Sequence, residues 1–186
     1  MISVILPTYN EAQNIARIIA AITKVFSDKA IAGEVIVVDD NSPDGTARIA
    51  SGLSGSCPVS VRVRTGIKGL SRAVIEGFGL AGGDICVVMD ADLSHPVDSI
   101  PDLIEPILEG TCDIVVGSRY LAGGGVPDWP WRRRLISRAA RFLARGVTTL
   151  SDPTSGFMAV KKDKLEGAEL DPLGWKIVLE VVVKTK

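Results

Sequence analysis

Short apolar runs recur along this chain, each closed by a turn and separated from the next by a stretch of helical periodicity. They are Ile2 to Leu6, Glu34 to Val38, Val59 to Val63, Ile85 to Met89 and Asp113 to Gly117. Between them, a helix is expected from about Ala12 to Phe26, where Ile15, Ile18, Ile19 and Ile22 fall at helical spacing. Further helices are expected after Asp44 (as N-cap), from the Gly66–Gly69 turn to about Ala81, and from Val97 to Glu109. Strands alternating with helices at this interval are βαβ units. The pattern predicts an α/β fold, a mostly parallel sheet with right-handed crossovers. After Gly117 the rhythm breaks. Gly123 to Gly125 reads as a flexible loop, an arginine-rich helix follows, and Phe157 to Val160 and Leu173 to Val183 read as a late strand and a late helix.

A length of 186 residues suits a single domain, 1–186, with a sizeable core. Apolar residues make up 46% of the chain, which excludes a disordered protein. The net charge of −1 argues against a general nucleic-acid binder. Cys57, Cys86 and Cys112 have no metal-ligand spacing, so a reduced, cytoplasmic setting is expected. The chain opens on a strand pattern rather than a secretory leader, and no apolar stretch approaches the length of a membrane span.

The chemistry concentrates in Asp84 to Pro96, DICVVMDADLSHP. A buried parallel strand ends there in Asp90-Ala91-Asp92. Residues two apart on an extended backbone point the same way, which brings both carboxylates to about 6–7 Å of each other at the strand's carboxyl end. Open α/β sheets put their ligands at that end. Two hard oxygen donors suit Mg²⁺ or Mn²⁺ completed by substrate phosphates. Taken alone, the two aspartates more readily describe a cap on the next segment than a metal site.

The turn after the first strand is Pro7-Thr8-Tyr9-Asn10-Glu11. It holds no glycine, which disfavours a dinucleotide oxidoreductase. Asp39 ends the second strand, where an acidic side chain commonly reads a ribose or base. Tyr9 offers an aromatic face beside it. Ordinary packing for Tyr9 and helix capping for Asn10 or Glu11 stay open. Two strand ends therefore suggest a nucleoside site and a third a metal–diphosphate site.

The segments VILPTYNE, VIVVDDNSPDGT, KGLSRAVIEGF, VVMDADLSHP, VVGSRY and DPTSGF come in the order found in the GT-A family 2 glycosyltransferases. The chain resembles these nucleotide-diphospho-sugar transferases, which have a Rossmann-like sheet with helices on both faces, and more narrowly the polyprenyl-phosphate (dolichol-phosphate) mannose synthases. The resemblance implies GDP-mannose as donor and a polyprenyl or dolichyl phosphate as acceptor. It implies Pro7, Tyr9, Glu11, Asp39, Lys68 and Asp90 around the donor nucleotide, and Asp90 and Asp92 on the metal. Ser94 stands where some relatives carry a metal-ligating Gln. The single histidine, His95, reads as a structural loop residue ahead of Pro96.

By the same resemblance Arg119 and Arg133 meet the acceptor phosphate, with Lys176 a later basic residue near it. Guanidinium groups suit bidentate phosphate binding. With Asp92 they form the expected catalytic set, acting by positioning and electrostatics rather than through a nucleophile triad. Relatives continue past the equivalent of Lys186, so the catalytic domain is expected to lack its C-terminal end. Alternatives in view are a UDP-glucose-dependent polyprenyl-phosphate glucosyltransferase, a transferase with a soluble sugar or protein acceptor, and a non-catalytic nucleotide-sugar-binding module.

Six arginines fall between Arg132 and Arg145, and Arg134, Arg138, Arg141 and Arg145 form one helical stripe. Trp129 and Trp131 precede it. The segment 131–146 fits an interfacial helix on an anionic membrane surface, the reading preferred here, with a solvated charged face as the alternative. The expected location is peripheral, at the cytoplasmic face of a membrane, alone or through a separate anchoring partner.

Overall fold

All five apolar runs form strands in the computed structural model, which describes residues 1–53, 57–118, 152, 155–171 and 177–185. The strands are β1 (Ile2–Thr8), β2 (Gly33–Asp39), β3 (Val59–Val63), β4 (Ile85–Val88) and β5 (Ile114–Val116), with the late strand β6 at Met158–Lys161. The helices are α1 (Ile15–Asp28), α2 (Thr46–Ser51), α3 (Leu70–Leu80), α4 (Ile100–Leu108) and α5 (Ile177–Lys184).

Among the described residues the strands form one sheet in the order β3-β2-β1-β4-β6-β5. β1 pairs in parallel with β2 and β4, and β2 with β3. β6 runs antiparallel between β4 and β5, so the sheet is mostly parallel, as expected. The insertion of β6 has no precedent in the local pattern of alternation.

Period-two alternation sends side chains to two cores. Val4 and Leu6 of β1, Val35 and Val37 of β2 and Val87 of β4 meet Ile15, Ile18 and Ile22 of α1 and Ile100 and Leu103 of α4. On the other face Ile5, Ile36, Val38, Cys86 and Val88 meet Val74 and Phe78 of α3 and Ile177, Val178 and Val181 of α5. Helices thus cover both faces. Each fully buried Ile or Val contributes about 1.5–3 kcal/mol relative to exposure. α3 lies so close to β1 that a Cβ on Gly77 would stand 2.4 Å from Ile5 Cγ2, so glycine is required there.

Some boundaries differ from expectation. α1 starts at Ile15 because residues 11–14 form a turn closed by the N–H groups of Asn14 and Ile15 on Glu11 O (3.0 and 2.9 Å). Gly45, at φ 88°, rather than Asp44, is the N-cap of α2. Asp44 instead accepts from the N–H (3.0 Å) and hydroxyl (2.6 Å) of Thr46 and, on its other oxygen, from the Ala12 N–H (3.0 Å). The helix expected from Val97 opens with a 3₁₀ turn, Val97–Ser99, before α4. The Gly123–Gly125 loop and the arginine-rich helix 131–146 lie outside the described residues. None of the described helices is long and apolar enough to cross a membrane.

Candidate active site

Because β2, β1 and β4 are parallel neighbours, their carboxyl ends open on one edge: Thr8 is paired with Asp39, and Ile5 with Val88. Those residues picked from the sequence that fall among the described ones gather along this edge in two groups.

The first group surrounds the β1 and β2 exits. Pro7 is buried in β1, while Tyr9 just beyond is 50% exposed. The Nζ of Lys68, from the turn before α3, lies 4.1 Å from the centroid of the Tyr9 ring. Asp39 is fully buried and accepts from the Thr8 hydroxyl (2.8 Å), the Ser42 N–H (2.8 Å) and the Ser42 hydroxyl (2.6 Å). Glu11 donates its N–H to the Thr46 hydroxyl (2.9 Å) and takes the Asn14 amide on its side chain (2.9 Å), tying the β1 exit to both following helices. The Thr46 hydroxyl beside Asp44, with the Ala12 and Thr46 N–H groups, holds the Asp44 carboxyl below the usual carboxylate range.

A buried ion pair fixes the turn that carries Lys68. Arg64 and Asp40, each 9% exposed, bond through Nη1 and Oδ1. Arg64 also donates to Ile67 O (2.9 Å) and Gly69 O (3.4 Å), and its Nε reaches Glu76 (3.0 Å). The Gly69 N–H closes the ring on Asp40 Oδ2 (2.7 Å). Sequence reading missed this pair. Its only trace was a second aspartate directly after Asp39.

The second group follows β4. The strand ends at Val88, so Asp90-Ala91-Asp92 lies past it in a turn, with Leu93 at φ 63°. Alternation nonetheless survives: Ala91 is buried (3%), Asp90 is 40% exposed and Asp92 is exposed. Asp92 accepts from the Ser94 N–H (2.9 Å), while the Ser94 side chain is exposed. His95 is half-buried. Its Nδ1 accepts the Asp90 N–H (3.0 Å) and its Nε2 lies 3.7 Å from Asp90 Oδ2.

These donors fit a hard divalent cation. Both carboxylates face outward on one short turn, and a Cβ on Gly156 would stand 3.0 Å from Asp90 Oδ2, so glycine leaves room for the carboxylate there. No group of three or more His, Cys, Asp or Glu side chains that could hold a metal occurs among the described residues. A cation held by two carboxylates takes its remaining oxygens from phosphate and water, as Mg²⁺ commonly does. Arg119, Arg133 and Lys176 lie outside the described residues.

The family model described as Glycosyl transferase family 2 matches residues 3–167. The chain belongs to that family. The mostly parallel sheet, with helices on both faces and acidic residues at its carboxyl edge, is accordingly the GT-A arrangement. Relatives named dolichol-phosphate mannosyltransferase match almost the whole chain. The one from Pyrococcus furiosus is 48% identical over 192 residues, covering 100% of this chain and 53% of the relative. The one from Saccharomyces cerevisiae is 40% identical over 191 residues, covering 98% and 70%. The chain thus spans about half the length of the Pyrococcus protein. Among solved structures, glucosyl-3-phosphoglycerate synthase from Mycobacterium tuberculosis, in complex with Mn²⁺, UDP-glucose and phosphoglyceric acid, superposes with a TM-score of 0.74 at 27% identity, covering 98% of this chain and 64% of that one.

Proposed function

We propose that this family 2 glycosyltransferase moves mannose from GDP-mannose to the phosphate of a polyprenyl or dolichyl monophosphate. The observation that carries this reading is the match, over nearly the full chain at 39–48% identity, to proteins named dolichol-phosphate mannosyltransferase. The edge geometry is compatible with it: an aromatic–lysine pair at Tyr9 and Lys68 suits a nucleotide, and Asp90 and Asp92 suit a diphosphate with its cation.

In this reading Tyr9, Glu11, Asp39, Pro7 and Lys68 bind and orient the donor nucleotide. Asp90 and Asp92, with Ser94 directly or through water, would hold Mg²⁺ or Mn²⁺, which supplies charge neutralisation to the departing diphosphate. Arg119 and Arg133, with Lys176 nearby, hold the acceptor phosphate in line. That phosphate is its own nucleophile, since its second pKa is about 6 and it is largely dianionic at neutral pH. An acceptor oxygen bonds to the anomeric carbon as the bond to GDP breaks and its electron pair leaves with the β-phosphate. A single displacement of this kind inverts the anomeric centre.

The segment 131–146 is read as facing an anionic membrane on its cytoplasmic side, which places the lipid-linked acceptor at hand. Flotation with anionic vesicles tests this; unchanged flotation after Arg134, Arg138 and Arg141 become Gln refutes it. The function itself is tested by a donor screen with short polyprenyl phosphate, Mn²⁺ or Mg²⁺, and labelled GDP-mannose beside UDP-glucose. Lipid-extractable label from GDP-mannose alone supports the reading. Label from UDP-glucose alone overturns the sugar and keeps the reaction class.

A further inference from the structure

We propose that His95 is a positioning residue that holds Asp90 in place for cation and diphosphate. The inference rests on the metal reading of Asp90 and Asp92 above. A loop residue needs no such set of contacts. The His95 Nδ1 accepts the Asp90 main-chain N–H at 3.0 Å, so a neutral ring carries its proton on Nε2. That Nε2–H faces Asp90 Oδ2 at 3.7 Å. One ring therefore bonds the backbone of Asp90 and stands close beside its carboxylate. The ring is itself held, stacked on Phe157 with centroids 5.1 Å apart and planes 13° off parallel. Gly156, immediately before Phe157, leaves the space in which ring and carboxylate meet: a Cβ there would stand 3.3 Å from His95 Cε1 and 3.0 Å from Asp90 Oδ2.

The consequence is a link between distant parts of the chain. β4 ends in the turn that offers Asp90, and β6 begins next to Phe157. His95 transmits the fixed position of the second to the first. Groups that orient a metal's ligands typically change metal affinity or activity by about 10–100-fold when removed.

The test measures Mn²⁺ affinity in the presence of GDP, by electron paramagnetic resonance on the full chain, for wild type, His95→Ala, His95→Gln and His95→Asn. Asn sets an amide oxygen near the place of Nδ1 and accepts the Asp90 N–H; Gln does not. Ala and Gln are expected to bind Mn²⁺ about 10–100-fold more weakly, with Asn recovering much of the loss. Phe157→Leu, which removes the stacked ring but keeps His95, is expected to fall between. Because the chain holds one histidine, its ¹⁵N resonances are unambiguous, and at pH 8 they are expected to report the Nε2–H tautomer. Wild-type Mn²⁺ affinity in Ala and Gln, whatever their melting temperatures, overturns the proposal, as does an Nδ1–H tautomer. Wild-type protein that binds no Mn²⁺ with GDP present overturns the metal reading itself, and this inference with it.

Discussion

The Nζ of Lys68 sits 4.1 Å from the centre of the Tyr9 ring although the two are 59 positions apart in sequence, and the turn that carries Lys68 is pinned by Asp40 and Arg64. An exposed aromatic with a cation against it is a ready partner for a base and its phosphates. A charge-assisted contact to phosphate is worth about 1.5–3 kcal/mol. Lys68→Ala is therefore expected to weaken GDP binding by at least about tenfold, and Lys68→Arg by less. Isothermal titration checks this; an unchanged Kd in the Ala variant removes Lys68 from the donor site.

Asp92 is exposed, and among the described residues its hydrogen bond is local, from the Ser94 N–H at 2.9 Å. Nothing in the core depends on it. Asp92→Ala is expected to leave the circular dichroism spectrum and melting curve unchanged while lowering transfer by at least on the order of 10²-fold, the scale seen when one preorganised electrostatic contact is lost. Wild-type turnover in this variant refutes the metal assignment.

Breaking one side of a buried ion pair leaves the other charge without its partner, at about 3–5 kcal/mol. Arg64 and Asp40 are both 9% exposed. Arg64→Met is thus expected to lower stability by about that amount in urea unfolding, and to weaken GDP binding as the Lys68 turn loosens. Loss of stability with GDP affinity intact separates the pair from the site.

Burial pushes the Cys86 thiol up to about 12, from an ordinary 9.0. Between those values the unfolded thiol ionises and the native one keeps its proton, so the native state binds more protons and stability falls as pH rises through this window. Below pH 9 the contribution is intact. Urea midpoints measured from pH 8 to 11 are expected to fall more steeply in wild type than in Cys86→Ala. Parallel curves contradict this.

The strand–helix rhythm was legible because burial on two faces leaves apolar runs that no turn sequence imitates. Even the late strand at Phe157 to Val160 was visible. Its direction and its seat between β4 and β5 were not, since pairing across distant segments leaves no local signal. The Asp90–Ala91–Asp92 motif was legible as chemistry, although it lies beyond the strand rather than in it. His95 read as a loop residue because its partners, Gly156 and Phe157, come some sixty residues later. The Asp40–Arg64 pair left only the second aspartate after Asp39 as a trace, because Arg64 comes 24 residues later. Lys68 and Tyr9 were each named, but their contact was not.

The Gly117 N–H donates to Phe157 O at 2.8 Å, and Val116 pairs with Met158. Residues 117 and 157 are therefore neighbours in the sheet, so the two ends of the segment between them are tied to each other. Closure entropy changes by only about 0.6 kcal/mol when the length of chain between such fixed ends doubles. Arg119 and Arg133, proposed to meet the acceptor, both fall within this segment, whereas Tyr9, Asp39, Lys68 and Asp90 do not. On the proposed assignment, change within that segment alters what receives the sugar without touching what delivers it.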